Sequence, residues 1–107
     1  MATRSTVTLH PAGHYRKIHL YRHWDGGPWG NGSSLAKLLR KPNWRAFDAR
    51  GTERQAMHFA ESLIRLSDRT GRGMYELTTD AENHGDTEWH YDVFFTADGE
   101  APAVRVK

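Results

Sequence analysis

Residues 52–64 read Thr-Glu-Arg-Gln-Ala-Met-His-Phe-Ala-Glu-Ser-Leu-Ile. The first four residues have the form of a capping box, in which Thr and Gln side chains satisfy backbone N–H groups at the start of a helix. Apolar residues then recur at the spacing that gives a helix one apolar face. They are Ala56, Phe59, Ala60, Leu63 and Ile64. We therefore predict a helix that begins near Thr52, packs on a core through this face and ends within residues 68–73.

Downstream of residue 73 the apolar period changes to two. The alternating residues fall in three segments: Tyr75 and Leu77; Trp89, Tyr91, Val93 and Phe95; and Val104 and Val106. A period of two indicates a strand with one buried face. Asp98-Gly99 is a hairpin-turn dipeptide, and residues 83–86 have the composition of a loop. We predict three strands joined as an antiparallel meander.

Upstream of the helix the sequence predicts a hairpin and a short helix. Residues 6–10 and 14–24 alternate, and Pro11-Ala12-Gly13 separates them. Ser33 or Ser34 then caps a helix that carries Leu35, Leu38 and Leu39 on one face and stops at Pro42. The element order becomes ββααβββ. We expect an α+β fold in which an antiparallel five-stranded sheet has two helices packed on one face.

Composition indicates one small domain over residues 1–107. The chain has four each of Trp, Tyr and Phe, which make a core feasible, and no Cys, which excludes disulfides and thiolate zinc sites. No segment resembles a signal peptide or a membrane span, so we expect a cytoplasmic protein with no membrane partner. Residues 1–54 hold ten Lys or Arg against three Asp or Glu, whereas residues 55–107 hold five against ten. The basic half suggests an acidic partner, unless the two halves face each other in the fold.

Histidines on alternating segments raise the question of a metal or acid/base site. His19 and His23 lie on one predicted strand, and His90 and Asp92 lie on another. If these strands are neighbours, the four side chains form a cluster suited to zinc binding or acid/base catalysis. The alternative is a solvated sheet face. Signatures of hydrolases, zinc proteases and phosphate-binding loops are missing from the sequence. We therefore predict no catalytic residue, no metal ligand and no cofactor.

The segment from Tyr21 to Gly32 is rich in glycine and carries two indoles. Either Trp24 and Asp25 build the turn, or they contact a partner; for Trp29 we predict exposure and binding, because aromatic loop residues contribute strongly to interfaces. Basic residues interleaved with aromatic ones also suit nucleic acid. The predicted binding residues are Tyr21, Arg22, His23, Asp25, Trp29, Lys37 and Arg40.

The run Tyr21-Arg22-His23-Trp24-Asp25-Gly26, followed by Pro28, Gly30 and Gly32, resembles the YxHWDGYPxGxG signature of a family of small, mostly uncharacterised phage and prophage proteins. The sequence departs from that signature at Gly27, where the family typically has Tyr, and at Trp29, where it usually has a polar residue. The resemblance implies an accessory protein of a mobile element that acts in the cytoplasm of a bacterial host. It carries no established enzymatic chemistry.

These observations lead to one functional hypothesis and two alternatives. The first is a binding protein of phage type that inhibits a host protein or ribonucleoprotein complex by occlusion, in the manner of anti-CRISPR proteins. The second is a nucleic-acid-binding module that uses the basic N-terminal half. The third is a metal-dependent enzyme that uses the His/Asp cluster.

Overall fold

The computed structural model describes residues 4–13, 17–22, 27, 35–36, 51–70, 75–79, 87–96 and 102–107. The described ranges contain the full length of one helix and of five strands. They are β1 (Ser5–His10), β2 (Ile18–Arg22), α1 (Gly51–Thr70), β3 (Glu76–Thr78), β4 (Trp89–Phe94) and β5 (Ala103–Val106). The elements form a small α+β domain, and the positions of the helix and of the strands follow the periodicities of the sequence.

The five strands form one mixed sheet in the order β3-β2-β1-β4-β5. β1 and β2 pair as an antiparallel hairpin, and Gly13 between them has a φ of 73°, a left-handed conformation that glycine adopts without strain. β3 pairs antiparallel with β2, and β5 pairs antiparallel with β4. β1 and β4, however, are parallel. The N-terminal hairpin is therefore inserted between β3 and β4.

The predicted fold class is wrong in two respects. The sheet is not antiparallel, and the C-terminal strands do not form a meander, because β3 and β4 are separated by the whole N-terminal hairpin. The predicted loop at residues 83–86 lies outside the described residues, and a turn signal does not specify which strands pair. Of the two predicted helices, the structure describes one, α1. The other falls outside the described residues except for Leu35 and Ala36, which are helical.

The central position of β1 follows from its composition. Ser5 to Leu9 contains no charged residue, and all five residues are buried. Such a strand can be covered on both faces and paired on both edges without leaving a charge unsolvated. β5, in contrast, is exposed along its whole length, as suits an edge strand.

The core lies between α1 and one face of the sheet. Ala56, Phe59 and Leu63 of the helix are buried in the same cluster as Val7, Leu20, Tyr91 and Val93 of the three central strands. Phe59 and Phe95 meet edge to face, with ring centroids 5.7 Å apart. The capping-box helix is thus confirmed, both in its bounds and in its buried face. No helix within the described ranges has the length and apolarity needed to cross a membrane.

Candidate functional site

The sheet face turned away from α1 is lined by polar and aromatic side chains, and we call it the polar face. Strand alternation places residues of four neighbouring strands there. They are His19 and Tyr21 of β2; Thr6, Thr8 and His10 of β1; His90, Asp92 and Phe94 of β4; and Arg105 of β5. Because β1 and β4 are parallel, Thr6 lies beside His90, Thr8 beside Asp92 and His10 beside Phe94.

Asp92 is the centre of this face. Its Oδ1 atom lies 2.7 Å from Nε2 of His10 and 3.0 Å from Nε2 of His90. Its Oδ2 atom accepts a hydrogen bond from Nη2 of Arg105 at 3.1 Å and lies 3.9 Å from Nζ of Lys107. The carboxylate side chain is only 5% exposed. Donors from three strands therefore converge on one buried carboxylate.

The histidine rings extend this network to two threonines. An ionised carboxylate only accepts hydrogen bonds, so both Nε2 atoms donate to Asp92. Oγ1 of Thr6 and Nδ1 of His90 are hydrogen-bonded at 2.7 Å, and the protonation of the ring decides which of the two donates. Thr8 Oγ1 and Nδ1 of His19 form a similar pair at 3.0 Å. Among the described residues, every buried side-chain nitrogen or oxygen has a hydrogen-bond partner.

The network determines the protonation state of Asp92. Burial alone would raise the pKa of its carboxyl group. The hydrogen bonds from His10, His90 and Arg105, together with the charge of His90, outweigh burial and lower that pKa from 3.8 to about 2. Asp92 is therefore a carboxylate at any pH near neutrality and holds its neighbours through charge-assisted hydrogen bonds.

A stack of planar groups stands beside the network. The rings of His10 and Phe94 are nearly parallel, with an interplanar angle of 15° and centroids 4.6 Å apart. The guanidinium carbon of Arg105 lies 5.3 Å from the Phe94 centroid. β4 runs between β1 and β5, so His10 approaches the Phe94 ring from the β1 side and Arg105 approaches it from the β5 side. The order across the sheet is imidazole, phenyl and guanidinium.

Thr6, His90 and Asp92 form a relay of hydroxyl, imidazole and carboxylate, the set that hydrolases use to activate a nucleophile. Here the hydroxyl is inaccessible, because Thr6 is 1% exposed. A substrate cannot approach its oxygen without rearrangement of the sheet. The arrangement serves to fix the strands relative to each other and to hold the cations and rings of the face in place.

The described residues contain no group of three or more His, Cys, Asp or Glu side chains arranged to hold a metal ion. The geometry gives a reason at the polar face: the Nε2 atoms of His10 and His90 both point at the same carboxylate oxygen. A metal ion bound at this point would take the place of the two Nε2 protons, so metal binding and these two hydrogen bonds exclude each other.

The condition for a cluster of His19, His23, His90 and Asp92, that β2 and β4 are neighbours, is not met. β1 separates β2 from β4, so His19 bonds to Thr8 of β1 instead of meeting Asp92. His10 takes that place, and it was not among the predicted binding residues. The signal that would have identified it is the charge-free strand Ser5 to Leu9, whose composition suits a central position between the two polar-facing strands.

The predicted binding residues of the turn segment are only partly within the described ranges. Tyr21 is half-buried on the polar face, beside Thr6. Arg22 points to the opposite side, is 2% exposed, and donates from Nη1 to the Tyr75 hydroxyl at 2.8 Å. The remaining five lie outside the described residues: His23, Asp25, Trp29, Lys37 and Arg40. A binding role for these seven residues stays a prediction.

Arg22 belongs to a second polar group, which lies on the core side of the sheet. Its guanidinium carbon is 5.0 Å from the centroid of the Tyr75 ring. Burial raises the pKa of the nearby Tyr91 hydroxyl, the Tyr75 hydroxyl raises it further, and the positive charge of Arg22 opposes both. Tyr91 is therefore neutral in the physiological range and contributes to the core as an uncharged ring.

Comparison with known proteins finds no matching family model, no matching curated protein and no matching solved structure.

Proposed function

We propose that this chain is a small, non-enzymatic binding protein of phage type, which inhibits a host macromolecular complex by occlusion through its polar face. One observation carries this proposal. The hydroxyl and the carboxylate of the Thr6–His90–Asp92 relay are buried, with Thr6 at 1% exposure and the Asp92 side chain at 5%, whereas the cations of the face are accessible, with the Arg105 side chain at 57% and that of Lys107 at 59%. Such a surface is suited to contact and not to reaction.

The Asp92 network supports binding because it holds the side chains of the polar face in place before a partner docks. His10, His90 and Arg105 are each held by the same carboxylate. Side chains that are already ordered lose less conformational entropy when a partner docks, and this favours affinity. A face built from four adjacent strands is also broad, and small molecules are usually bound in concave sites. A macromolecular partner fits this surface better.

The charge of the face indicates the kind of partner. Asp92 is already engaged by its donors, so the outward-facing charges near it are those of Arg105 and Lys107. A complementary surface presents anionic groups, as a ribonucleoprotein complex does. The phage-like signature at residues 21–32 is consistent with a host defence complex as the target, in the manner of anti-CRISPR proteins.

The proposal is tested by capture from a bacterial host lysate, followed by a nuclease assay of the captured complex. We expect the wild-type protein to retain a specific complex and to inhibit its activity. Replacing Arg105→Ala together with Lys107→Ala should weaken inhibition by at least about tenfold, since charged contacts at an interface contribute more than about 1.4 kcal/mol when well placed.

The matched control is the pair Arg54→Ala and Arg65→Ala, which removes the same charge from exposed positions of α1 on the other side of the sheet. This variant should inhibit as strongly as the wild type. If the wild-type protein retains no specific complex, or if the two double variants lose inhibition equally, the polar face is not an inhibitory surface.

A further inference from the structure

The Phe94 ring on the polar face is covered by two unlike groups. His10, on the β1 side, is tied to Asp92 and is mostly buried, with 19% of its side chain exposed. Arg105, on the β5 side, is 57% exposed. A ligand can therefore displace the Arg105 guanidinium from the Phe94 ring more readily than it can displace the His10 imidazole.

Arg105 can move from Asp92 to a ligand while other donors remain close to the Asp92 carboxylate. If its guanidinium moves away, Oδ1 of Asp92 still accepts from His10 and His90, and Oδ2 still has Lys107 within 3.9 Å. The exchange is possible because the Arg105 side chain is 57% exposed and can reach a ligand from its present position, while Lys107 is close enough to move onto Oδ2 as Arg105 leaves. An anion of higher charge density, such as a phosphate group, competes well for a guanidinium, which it can engage through two hydrogen bonds.

We infer that the polar face binds single-stranded nucleic acid, with a base stacked on Phe94 in the place of the Arg105 guanidinium and a backbone phosphate bound by Arg105. Lys107, on the same side of Asp92, lies within reach of the same backbone. This inference rests on the proposed function, because it names the chemistry of the partner bound at the same surface. Ring and cation stand side by side, which is the combination that single-stranded nucleic acid requires. In a duplex, the base faces are covered by their neighbours and are not available to Phe94.

The experiment measures fluorescence anisotropy of short labelled oligothymidylate and oligouridylate with the full chain, over a series from about 50 to 200 mM salt. We expect binding at low salt that weakens as salt is added, because phosphate contacts release condensed counterions. A duplex of the same length should bind more weakly than either single strand.

Two variants separate stacking from charge. Phe94→Leu keeps apolar bulk but removes the aromatic ring, and it should raise Kd about tenfold without changing the salt dependence. Arg105→Ala should also raise Kd, and it should reduce the slope of log Kd against log salt by about 0.7, the value for the loss of one phosphate contact on a single strand. Arg65→Ala removes an exposed cation of α1 and should leave both quantities unchanged. Circular dichroism confirms that each variant is folded.

The inference is overturned if neither oligonucleotide binds at low salt, if a duplex binds as tightly, or if Phe94→Leu and Arg105→Ala bind like the wild type. The proposed function is judged separately, by inhibition of the captured host complex. A protein that inhibits that complex through Arg105 and Lys107 but binds no oligonucleotide would contradict this inference, retain the proposed function and identify an acidic protein surface as the partner.

Discussion

Asp92 shows how much of the polar face depends on one side chain. Its two oxygens accept from residues on β1, β4 and β5, and these donors include two rings and one cation of the candidate binding surface. A buried carboxylate is costly unless it is fully hydrogen-bonded, and here it is. The residue therefore couples the stability of the sheet to the arrangement of its surface.

We predict that Asp92→Asn destabilises the protein by about 2 to 3 kcal/mol at neutral pH, because charge-assisted hydrogen bonds are lost and an amide N–H₂ group faces other donors. The folded-state pKa of Asp92, about 2, lies below its ordinary value of 3.8. Its stabilisation is therefore complete above about pH 4 and is lost as the pH falls toward 2. The difference between the wild type and the variant should shrink by about 2 kcal/mol over that interval.

Denaturant unfolding at several pH values measures both effects. The control is Glu61→Gln, which removes a carboxylate from an exposed position of α1 and should leave the unfolding free energy close to that of the wild type at each pH. An Asp92→Asn variant as stable as the wild type at neutral pH would show that the network contributes nothing to folding.

At the scale of the elements, the edge strand β3 is less buried than the central strands of the sheet. Leu20 of β2 is fully buried against the core cluster. Leu77 of β3, its direct cross-strand neighbour, is 66% exposed. The α1 helix thus covers the central strands and leaves the edge strand β3 largely uncovered. Two leucines that face each other on neighbouring strands are therefore in different environments, one buried and one exposed.

We predict that Leu20→Ala lowers the unfolding free energy by about 3 kcal/mol, since it removes buried methyl groups and leaves a cavity. Leu77→Ala makes the same chemical change at the neighbouring edge position and should change that free energy by no more than about 0.5 kcal/mol. Thermal and denaturant unfolding of the two variants gives the comparison. Similar losses at both positions would mean that the edge of the sheet is covered in solution.

At the scale of the whole molecule, the parallel pairing of β1 and β4 joins the two ends of the chain. The contact between His10 and Asp92 spans 82 residues, and that between Thr6 and His90 spans 84. β1 is paired on both edges and buried on both faces. Opening of this strand therefore requires the separation of the N-terminal and C-terminal parts of the sheet.

We predict that the backbone amides of β1 exchange with solvent most slowly, at rates set by global unfolding, whereas those of β5 exchange much faster. The reason is that an edge strand can detach locally, but the central strand cannot. Amide hydrogen exchange followed by NMR gives the rates. Equal protection of Val7 and Val104 would contradict this view of the sheet.

The sequence by itself determined the elements whose signals are local. The capping box and apolar spacing of residues 52–64 defined α1, and alternation at residues 6–10, 89–95 and 104–106 located the strands, because side chains a few residues apart decide these patterns. The hairpin of β1 and β2 could be predicted for the same reason. The sequence did not show which strands that lie far apart along the chain pair with each other, or whether they pair parallel or antiparallel.

Only the tertiary structure decided that β4 pairs in parallel with β1, and therefore that Asp92 meets His10. Turn signals indicate where a chain reverses, but several pairings bury the same alternating faces, and the choice among them depends on packing across the whole sheet. The polar face, with its carboxylate, rings and cations, is a product of that choice. The sequence contains the residues of this face, but it does not show that they lie close together in the fold.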